Sequence, residues 1–371
     1  MQLVAYGAQD IYLTGNPQIT FFKVVYRRHT NFSMESIQQT WNGSYGVSTR
    51  QTATISRNGD LVHKMYLQKT VAADTDYTMD NPGYTQMDNI ELEIGGQKID
   101  KQSGSFMSHW VELTEPNPTG LTVATNAAIA NGTWTKFQKM ALAGGVTDNG
   151  ALNAAGVHHI PLLFWFCRNP GLALPLIALQ YHEVKVIVEW ASHARAGTFN
   201  QPELWCDYIY LDTDERRRFA QVSHEYLIEQ VQHQSNASGQ TDLNFNHPVK
   251  ELIWTGAVTA GNPAVVGAST VTYQLKLNGH ERFAARPVHY FTRQQVHDYH
   301  TGYGGVTRLD SIAVYSFALK PEEHQPSGTC NFSRIDNAQL VPSTGTAIEV
   351  YAINYNVLRI MSGMGGLAYS N

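Results

Sequence analysis

The sequence contains little charge. Asp, Glu, Lys and Arg make up 15% of its 371 residues, whereas soluble domains usually contain about 25%. Acidic residues outnumber basic ones by 31 to 26, which gives a formal net charge of −5. Because no positive field is available to attract a polyanion, we expect no direct, specific binding of nucleic acid.

Cysteine and long apolar runs are also scarce. Cys167, Cys206 and Cys330 are far apart and have no CxxC spacing, so we expect reduced, packed thiols rather than a disulfide framework or a zinc site. The N-terminal residues show no signal-peptide pattern. The longest apolar run, IPLLFWFC, is far shorter than the roughly 20 residues needed to cross a bilayer. Together these features predict an intracellular chain.

Catalytic and cofactor motifs are missing as well. The sequence has no GxxxxGK[ST] loop, HExxH, GxSxG or dinucleotide-binding fingerprint, and each of those chemistries needs its residues at that spacing. We therefore predict a protein that is not an enzyme and binds no cofactor. Two glycine-rich segments, GYGG at residues 302–305 and GMGG at 363–366, do not stand at strand-to-helix junctions, and we interpret both as flexible turns.

The fifteen histidines raise the alternative of a cupin-like metalloenzyme. That family places an HxH pair with a Glu and a later His inside a barrel, and no HxH occurs here. His158 and His159 would point to opposite faces of a strand, and His297 with His300 lacks a clear third ligand. We interpret these histidines as solvated or packed, and we expect no metal.

Five N-x-[ST] sequons occur, at Asn31, Asn42, Asn131, Asn236 and Asn331. Without a signal peptide the ordinary glycosylation route is closed, so all five are interpreted as chance matches in a chain rich in Asn, Ser and Thr. Asn131, within a segment of small residues, remains the candidate for glycosylation.

Short alternating apolar runs bounded by Gly, Pro, Asn or Asp fill most of the chain, as in RQTATISR and YHEVKVIVEW. This pattern is typical of β-strands. Helical patterns are confined to residues 103–115, 133–145, 214–221 and 285–299. In the first of these, a Ser N-cap precedes apolar residues at i, i+4 and i+7, so that helix should pack on an apolar surface. We predict an all-β chain with short helices in its connecting loops.

Three pairs of segments recur in the same order along the chain. They are RRHTNFSME (27–35) with RRFAQVSHE (217–225), LVHKMYL (61–67) with PVKELIW (248–254), and LEIGGQK (92–98) with LKLNGHE (275–281). The Gly-Gly and Asn-Gly of the third pair predict tight hairpins. We infer a duplicated β domain of about eight strands, a size at which a two-sheet jelly roll can hide its sheet edges.

The repeats indicate two similar domains joined near residue 213, a first domain (26–212) and a second domain (213–371). The first domain is the longer because of residues 114–157, whose small residues predict an exposed excursion rather than core.

Paired arginines stand at the start of each domain. The repeated residues are Arg27, Arg28 and Glu35 in the first copy and Arg217, Arg218 and Glu225 in the second. Isolated arginine pairs in an acidic chain more often bind nearby carboxylates or carbonyls than phosphates. We predict that they anchor the leading segment of each domain against its own barrel or against a neighbouring subunit.

Six long segments resemble the major capsid protein of nucleocytoplasmic large DNA viruses, nearest to its algal-virus and mimivirus-like branch. They include GAQDIYLTGNPQITFFKVVYRRHTNF and YNVLRIMSGMGGLAYSN, and they span residues 7–32, 168–186, 208–221, 245–254, 330–337 and 355–371. The resemblance therefore runs from the first residues to the last.

The resemblance implies two tandem eight-stranded antiparallel jelly-roll barrels, a double jelly roll. It implies homotrimeric capsomers of pseudo-hexagonal outline that tile the icosahedral shell of the virion and assemble in the cytoplasm of the infected host. It also implies an N-terminal arm (1–25) that contacts minor capsid proteins at the inner face, near an internal viral membrane. Residues 114–157 would form outer towers. The alternatives are a carbohydrate-binding jelly-roll module, which would remain a monomer or small oligomer, and a minor capsid paralogue.

Overall fold

The structure is a computed structural model, and it describes residues 7–71, 80–120, 122–124, 134–147, 156–192, 201–236, 239–259 and 262–369. Over these residues the chain consists mainly of antiparallel strands joined by turns and short helices. The predicted all-β class is confirmed.

The first half of the chain forms two five-stranded antiparallel sheets. One has the order β1–β12–β4–β10, with β9 also on β4, and contains β1 (Phe32–Gln39), β4 (Leu61–Val71), β9 (Gly156–Pro161), β10 (Leu174–Pro175) and β12 (Glu203–Leu211). The other has the order β2–β3–β11–β5–β6 and contains β2 (Trp41–Asn42), β3 (Arg50–Thr54), β5 (Met87–Ile94), β6 (Gln97–Ser103) and β11 (Val184–Trp190). The two sheets remain separate over the described residues instead of closing into one barrel.

The second half forms a six-stranded and a four-stranded sheet. The larger has the order β13–β23–β15–β20 and contains β13 (His224–Asn236), β15 (Pro248–Gly256), β20 (Ile312–Ser316), β21 (Cys330–Asn331), β23 (Ile348–Met361) and β24 (Met364–Leu367). The smaller has the order β14–β22–β18–β19 and contains β14 (Thr241–Asp242), β18 (Thr272–Leu277), β19 (His280–Pro287) and β22 (Ala338–Pro342). Two short pairs complete the described strands: β7 (Val123–Ala124) with β8 (Val146–Thr147), and β16 (Val258–Thr259) with β17 (Asn262–Pro263).

The two halves share one topology. The order β1–β12–β4 corresponds to β13–β23–β15, and β3–β11–β5–β6 corresponds to β14–β22–β18–β19. All three sequence echoes fall on corresponding elements: the first leads into β1 and β13, the second starts β4 and β15, and the third spans the β5–β6 and β18–β19 hairpins. The duplication inferred from sequence is therefore confirmed.

The two corresponding hairpins turn as their sequences predict. Gly95 and Gly96 have φ of 58° and 83°, and Asn278 and Gly279 have φ of 51° and 76°. Two successive positive φ values belong to the two-residue turn whose twist matches that of the strands.

Short helices lie in the connections, as predicted. They are α1 (Ile11–Thr14), α2 (Pro82–Thr85), α3 (Gly104–Thr114), α4 (Lys136–Ala141), α5 (Trp165–Arg168), α6 (Thr213–Gln221) and α7 (Gln295–Tyr299). A π-helical turn, Tyr290–Gln294, precedes α7, and 3₁₀ turns occupy Pro170–Leu172, Leu176–Ala178 and Phe332–Arg334. Ser103 caps α3 by accepting a hydrogen bond from the Phe106 amide. The predicted helix 285–299 is helical only from Val288, because β19 extends to Pro287.

The excursion at residues 114–157 is not wholly exposed, so that prediction is wrong for residues 134–147. Ala141 and Val146 are fully buried, and the Asn81 side chain accepts hydrogen bonds from the amides of Gly145 (3.0 Å) and Val146 (3.1 Å). A Cβ on Gly83 would lie 2.0 Å from the carbonyl oxygen of Ala141. The small residues of this segment allow close packing, and they do not mark exposure. Asn131 lies outside the described residues.

The N-terminal arm lies outside both halves. Its described residues, 7–25, expose large apolar side chains, including Tyr12, Phe21 and Phe22, the last of which is 99% exposed.

No helix in the described part of the chain is long and apolar enough to span a membrane. All three cysteines are free thiols, as predicted.

Candidate functional site: the seam between the two halves

The described part of the chain contains no group of three or more His, Cys, Asp or Glu residues arranged to hold a metal ion. His297 is 88% exposed at its side chain, while His300 is buried, so this pair does not share a site. His158 Nδ1 lies 3.0 Å from the Lys139 carbonyl oxygen, and His159 Nε2 lies 3.2 Å from Gln68. The two adjacent histidines thus have separate partners.

The predicted anchors lie apart from one another. Arg27 and Arg28 are exposed in the segment before β1, and neither forms an ion pair with any described residue. Arg217 and Arg218 lie on α6, not at the entry of a strand, and Arg218 is 3.6 Å from Glu215 on the same helix. The proposal that remains for these arginines is a contact with a neighbouring subunit.

The two predicted glutamates occupy corresponding strands. Glu35 on β1 accepts a hydrogen bond from the Tyr210 hydroxyl on β12 (3.1 Å). Glu225 on β13 lies 2.7 Å from Arg359 on β23. Each side chain therefore bonds to the strand next to its own, at the same place in the topology.

The sequence did not indicate which arginine of α6 forms an ion pair with the first half. Arg216 Nε lies 3.0 Å from Asp60 Oδ1, and its Nη2 donates to Asp60 Oδ2 (3.0 Å). The same carboxylate accepts a hydrogen bond from the Leu211 amide. In the run Arg216–Arg217–Arg218 nothing in the sequence distinguishes the residue that faces the first half from its neighbours.

The most extensive buried polar structure lies where the first half packs on the second, a surface that we call the seam. Helix α3 covers one side of the sheet β13–β23–β15–β20. The ring centroids of Phe106 and Tyr351 lie 5.5 Å apart. Those of Trp110 and the buried His300 lie 6.3 Å apart in an edge-to-face arrangement. The prediction that α3 packs on an apolar surface is confirmed, and its buried residues share one core with apolar side chains of both halves.

Alternate side chains of this sheet enter different cores. On β15, Leu252 and Trp254 belong to the core of the second half, whereas Ile253 joins the core of the first. On β23, Val350 and Tyr351 divide in the same way. Because the sheet is buried on both faces, the first-half core continues across the seam, and the two halves are not separated by a hydrated cleft.

A buried ion cluster centres on Glu229, which is 3% exposed. Its carboxylate lies 2.6 Å from Arg168 of the first half and 2.7 Å from the fully buried Lys250, and His324 Nδ1 lies 3.4 Å away. Burial raises the pKa of Glu229, but Arg168 and Lys250 outweigh it and hold the pKa well below its usual range. Arg168 and Lys250 also lie over the Trp110 ring, at 5.2 and 5.9 Å from its centre.

A second ion cluster surrounds His300. Its Nε2 lies 3.0 Å from Glu251, and its Nδ1 lies 3.2 Å from Glu322. Burial lowers the pKa of His300, but the two carboxylates outweigh it and raise the pKa to about 9. With an acceptor at each ring nitrogen, the imidazolium can donate two hydrogen bonds.

Direct hydrogen bonds cross the seam at two further places. The buried Glu112 of α3 accepts from the Val306 amide (2.8 Å) and the Thr307 hydroxyl (2.9 Å). Asp100 on β6 accepts from the Val231 amide on β13 (3.1 Å), and burial raises the pKa of Asp100 to about 6. The Gln230 side chain donates to the Ile99 carbonyl next to it.

Both glycine-rich segments belong to the seam. The interpretation of GMGG as a turn holds at its first residue, since Ser362 and Gly363 form the turn between β23 and β24 with φ of 52° and 81°, while GYGG and the rest of GMGG pack against the first half. In GYGG, the Gly302 amide donates to the Leu113 carbonyl (2.6 Å), and a Cβ at Gly302 would lie 2.5 Å from that backbone. In GMGG, the Gly363 carbonyl accepts from the Tyr181 amide (3.0 Å), and the Gly365 backbone packs on Leu179. At Gly302 glycine is needed because two backbones approach closely.

Comparison with known proteins agrees with this architecture. Two family models match the chain: "Major capsid protein N-terminus" over residues 20–212, and "Large eukaryotic DNA virus major capsid protein" over residues 215–366. The major capsid protein of Pyramimonas orientalis virus is 51% identical, with 100% of this chain and 99% of that protein covered. That of Paramecium bursaria Chlorella virus 1 is 41% identical with the same coverage.

Solved structures give the same result. The PBCV-1 virus capsid model superposes with a TM-score of 0.79 at 37% identity, and covers 95% of this chain and 100% of that one. The Faustovirus major capsid protein, at 13% identity, shares the fold with a TM-score of 0.62 over 96% of this chain and 94% of its own. The double jelly-roll fold is thereby confirmed, and the chain belongs to the major capsid protein family of large eukaryotic DNA viruses.

Proposed function

We propose that this chain is the principal shell subunit of a large DNA virus and forms homotrimers of pseudo-hexagonal outline that tile an icosahedral capsid. The observation that carries the proposal is the seam, which holds two lobes of one topology in a fixed relative orientation. Three such chains around a three-fold axis present six similar lobes, so one gene product can occupy the positions of a hexagonal lattice.

The proposed function depends on the free energy of assembly and involves no catalysis. An obligate trimer interface is expected to bury well above roughly 2,000 Å² and to be apolar at its centre, while contacts between capsomers are smaller and more polar. Many weak lattice contacts add up through multivalency, which makes the shell stable while single contacts stay reversible. We place assembly in the cytoplasm of the infected host.

The N-terminal arm provides the contact surface for the inner face of the shell. Its exposed Tyr12, Phe21 and Phe22 form the kind of apolar surface that is usually covered in an assembly. We assign its contacts to minor capsid proteins at the inner face, near the internal viral membrane. A chain without residues 1–25 should still form trimers in light scattering but should fail to assemble shells with the other virion proteins. Loss of the trimer itself would contradict this assignment.

Arg27 and Arg28 follow the arm and remain free to reach a neighbouring subunit, which supports their role as anchors between chains.

Light scattering of the purified protein tests the trimer directly. Three chains of 41.3 kDa should give one species of three-fold mass over a wide concentration range. A monomer at all concentrations would contradict the proposal and favour a carbohydrate-binding jelly-roll module.

A further inference from the structure

Two buried histidines lie in the seam, and their surroundings differ. The side chain of His300 is fully buried and has a carboxylate beside each ring nitrogen, Glu251 at 3.0 Å and Glu322 at 3.2 Å. His109 on α3 is 1% exposed, and neither of its ring nitrogens has a hydrogen-bond partner among the described residues. Buried polar side chains nearly always have such a partner. The neutral imidazole of His109 therefore makes no polar contact across the seam, yet it remains a group that can bind a proton.

The ring of His109 contacts the second half through Tyr351 on β23. The centroids of these two rings lie 6.0 Å apart, and His233 of β13 stacks on the same tyrosine with ring centroids 4.7 Å apart. The side chain of His233 is 43% exposed, and its Nε2 lies 2.6 Å from Glu349 Oε2. Tyr351 thus contacts two imidazoles, one with solvent and a carboxylate within reach and one with neither.

Among the described residues, no carboxylate lies within hydrogen-bond distance of either ring nitrogen of His109. The carboxylates that enter the seam bond to other groups: Glu112 of α3 to the Val306 amide, Asp100 of β6 to the Val231 amide, Glu229 of β13 to Lys250 and Arg168, Glu251 of β15 to His300, and Glu349 of β23 to His233. When His233 is protonated, its charge opposes a charge on His109 as well. A proton on the buried ring would therefore have no compensating charge.

The pKa values of the two histidines reflect these surroundings. Burial lowers the pKa of His109 to about 3, and His233 acts in the same direction. The similarly buried His300 shows the opposite shift, to about 9, since its two carboxylates outweigh burial. Because the folded-state pKa of His109 lies below the unfolded value of 6.5, its burial costs stability once the pH falls below 6.5, and this cost grows until the pH reaches about 3.

We infer that His109 is an acid-sensitive switch in the seam, whose ring can take up a proton only when α3 separates from the sheet β13–β23–β15–β20. At neutral pH the uncharged ring stays packed against Tyr351. In acid the protonated ring requires water or a counter-charge, and only the separated state supplies either. Because α3 joins the two halves, protonation of His109 loosens the relative position of the two lobes. The inference concerns a single chain and holds whether or not three chains form the proposed trimer.

Other groups of the seam respond to acid in the opposite direction. Burial raises the pKa of Asp100 to about 6 and also raises the pKa of Glu112, so proton uptake by these carboxylates favours the closed seam as the pH falls. The pH dependence of the whole seam is the sum of these effects. The contribution of His109 is therefore measured as the difference between the wild type and a variant that lacks the ring.

Hydrogen exchange of the α3 amides in the full chain tests the inference. The protection of residues 107–113, corrected for the intrinsic effect of pH on exchange, is measured at pH 7 and pH 5 for the wild type and for His109→Leu. Between these pH values the opening equilibrium of α3 should rise on the order of 20-fold more in the wild type than in the variant. The matched control is His280→Gln, at an exposed position beside the Asn278–Gly279 turn, which should behave like the wild type.

Two results would overturn the inference. An equal change in the wild type and in His109→Leu would show that His109 takes up no proton when α3 opens, and a larger change in the variant would show that the folded ring is the charged form. If His109→Leu does not fold, His109→Gln replaces it with the same expected difference, because glutamine is uncharged at both pH values. Light scattering of the same samples reports the proposed trimer separately: a monomer would contradict the trimer and leave the exchange result valid.

Discussion

Glu229 is the residue on which the buried charges of the seam depend most. It compensates both Arg168 and the fully buried Lys250. We expect Glu229→Gln to lower the free energy of unfolding by about 3–5 kcal/mol, because removing one partner leaves a buried charge uncompensated. Chemical denaturation monitored by tryptophan fluorescence measures this loss.

The matched control is an exposed ion pair. Lys320 and Glu323 lie 3.0 Å apart with both side chains more than half exposed, so Glu323→Gln should change the free energy of unfolding by less than about 1 kcal/mol. If both variants unfolded like the wild type, the ion cluster would have no structural role.

His300 should make the seam sensitive to alkaline pH. Its folded-state pKa of about 9 lies above the unfolded value of 6.5, so its charged form contributes fully below pH 6.5, and the contribution is lost as pH rises through 9. The wild type should exceed His300→Gln in stability by on the order of 2–3 kcal/mol at pH 6, and this difference should shrink toward pH 10. A difference that stayed constant from pH 6 to 10 would show that His300 is not charged in the folded protein.

Residue-level predictions succeeded where the signal was local and failed where it was not. Ser103 as the cap of α3 and Asn278–Gly279 as a hairpin turn follow from backbone requirements of adjacent residues. The arginine of α6 that pairs with the first half is Arg216, and its partner Asp60 is too distant in sequence to give a local signal. Consecutive helical residues point about 100° apart, and sequence alone does not state which of those directions faces a carboxylate.

Among the connecting elements, the GYGG segment provides the sharpest test of the seam. A Cβ at Gly302 would lie 2.5 Å from the backbone of Leu113, so Gly302→Ala must push the segment away from α3 and should destabilise the protein by about 1–3 kcal/mol. Thermal unfolding measures the effect. Gly345→Ala is the control, since a Cβ there meets nothing within 4 Å. Equal melting temperatures for the two variants would contradict the close packing of GYGG.

The elements of each half could be predicted largely from sequence, whereas their contacts across the seam could not. Strands and hairpins leave periodic and turn signals, and the repeated LEIGGQK and LKLNGHE segments fixed two corresponding hairpins. The sequence of GYGG does not show whether its glycines permit flexibility or the close approach of another backbone segment. The small residues of 134–147 were misjudged for the same reason, because their packing partner Asn81 lies far away in the chain.

At the scale of the whole molecule, the seam makes the two halves one structural unit. The sheet β13–β23–β15–β20 is buried on both faces, and the buried ion pair between Arg168 and Glu229 joins the halves beside its apolar contacts. Two independently moving lobes could not present a constant outline to neighbours, but two locked lobes can. A hexagonal building block made from three chains needs that constancy.

Single-particle electron microscopy of the purified protein is the decisive test of the proposed trimer. Particles with three-fold symmetry and six lobes of similar size are expected. Particles with a single pair of lobes at every concentration would show that the protein does not form the proposed trimer.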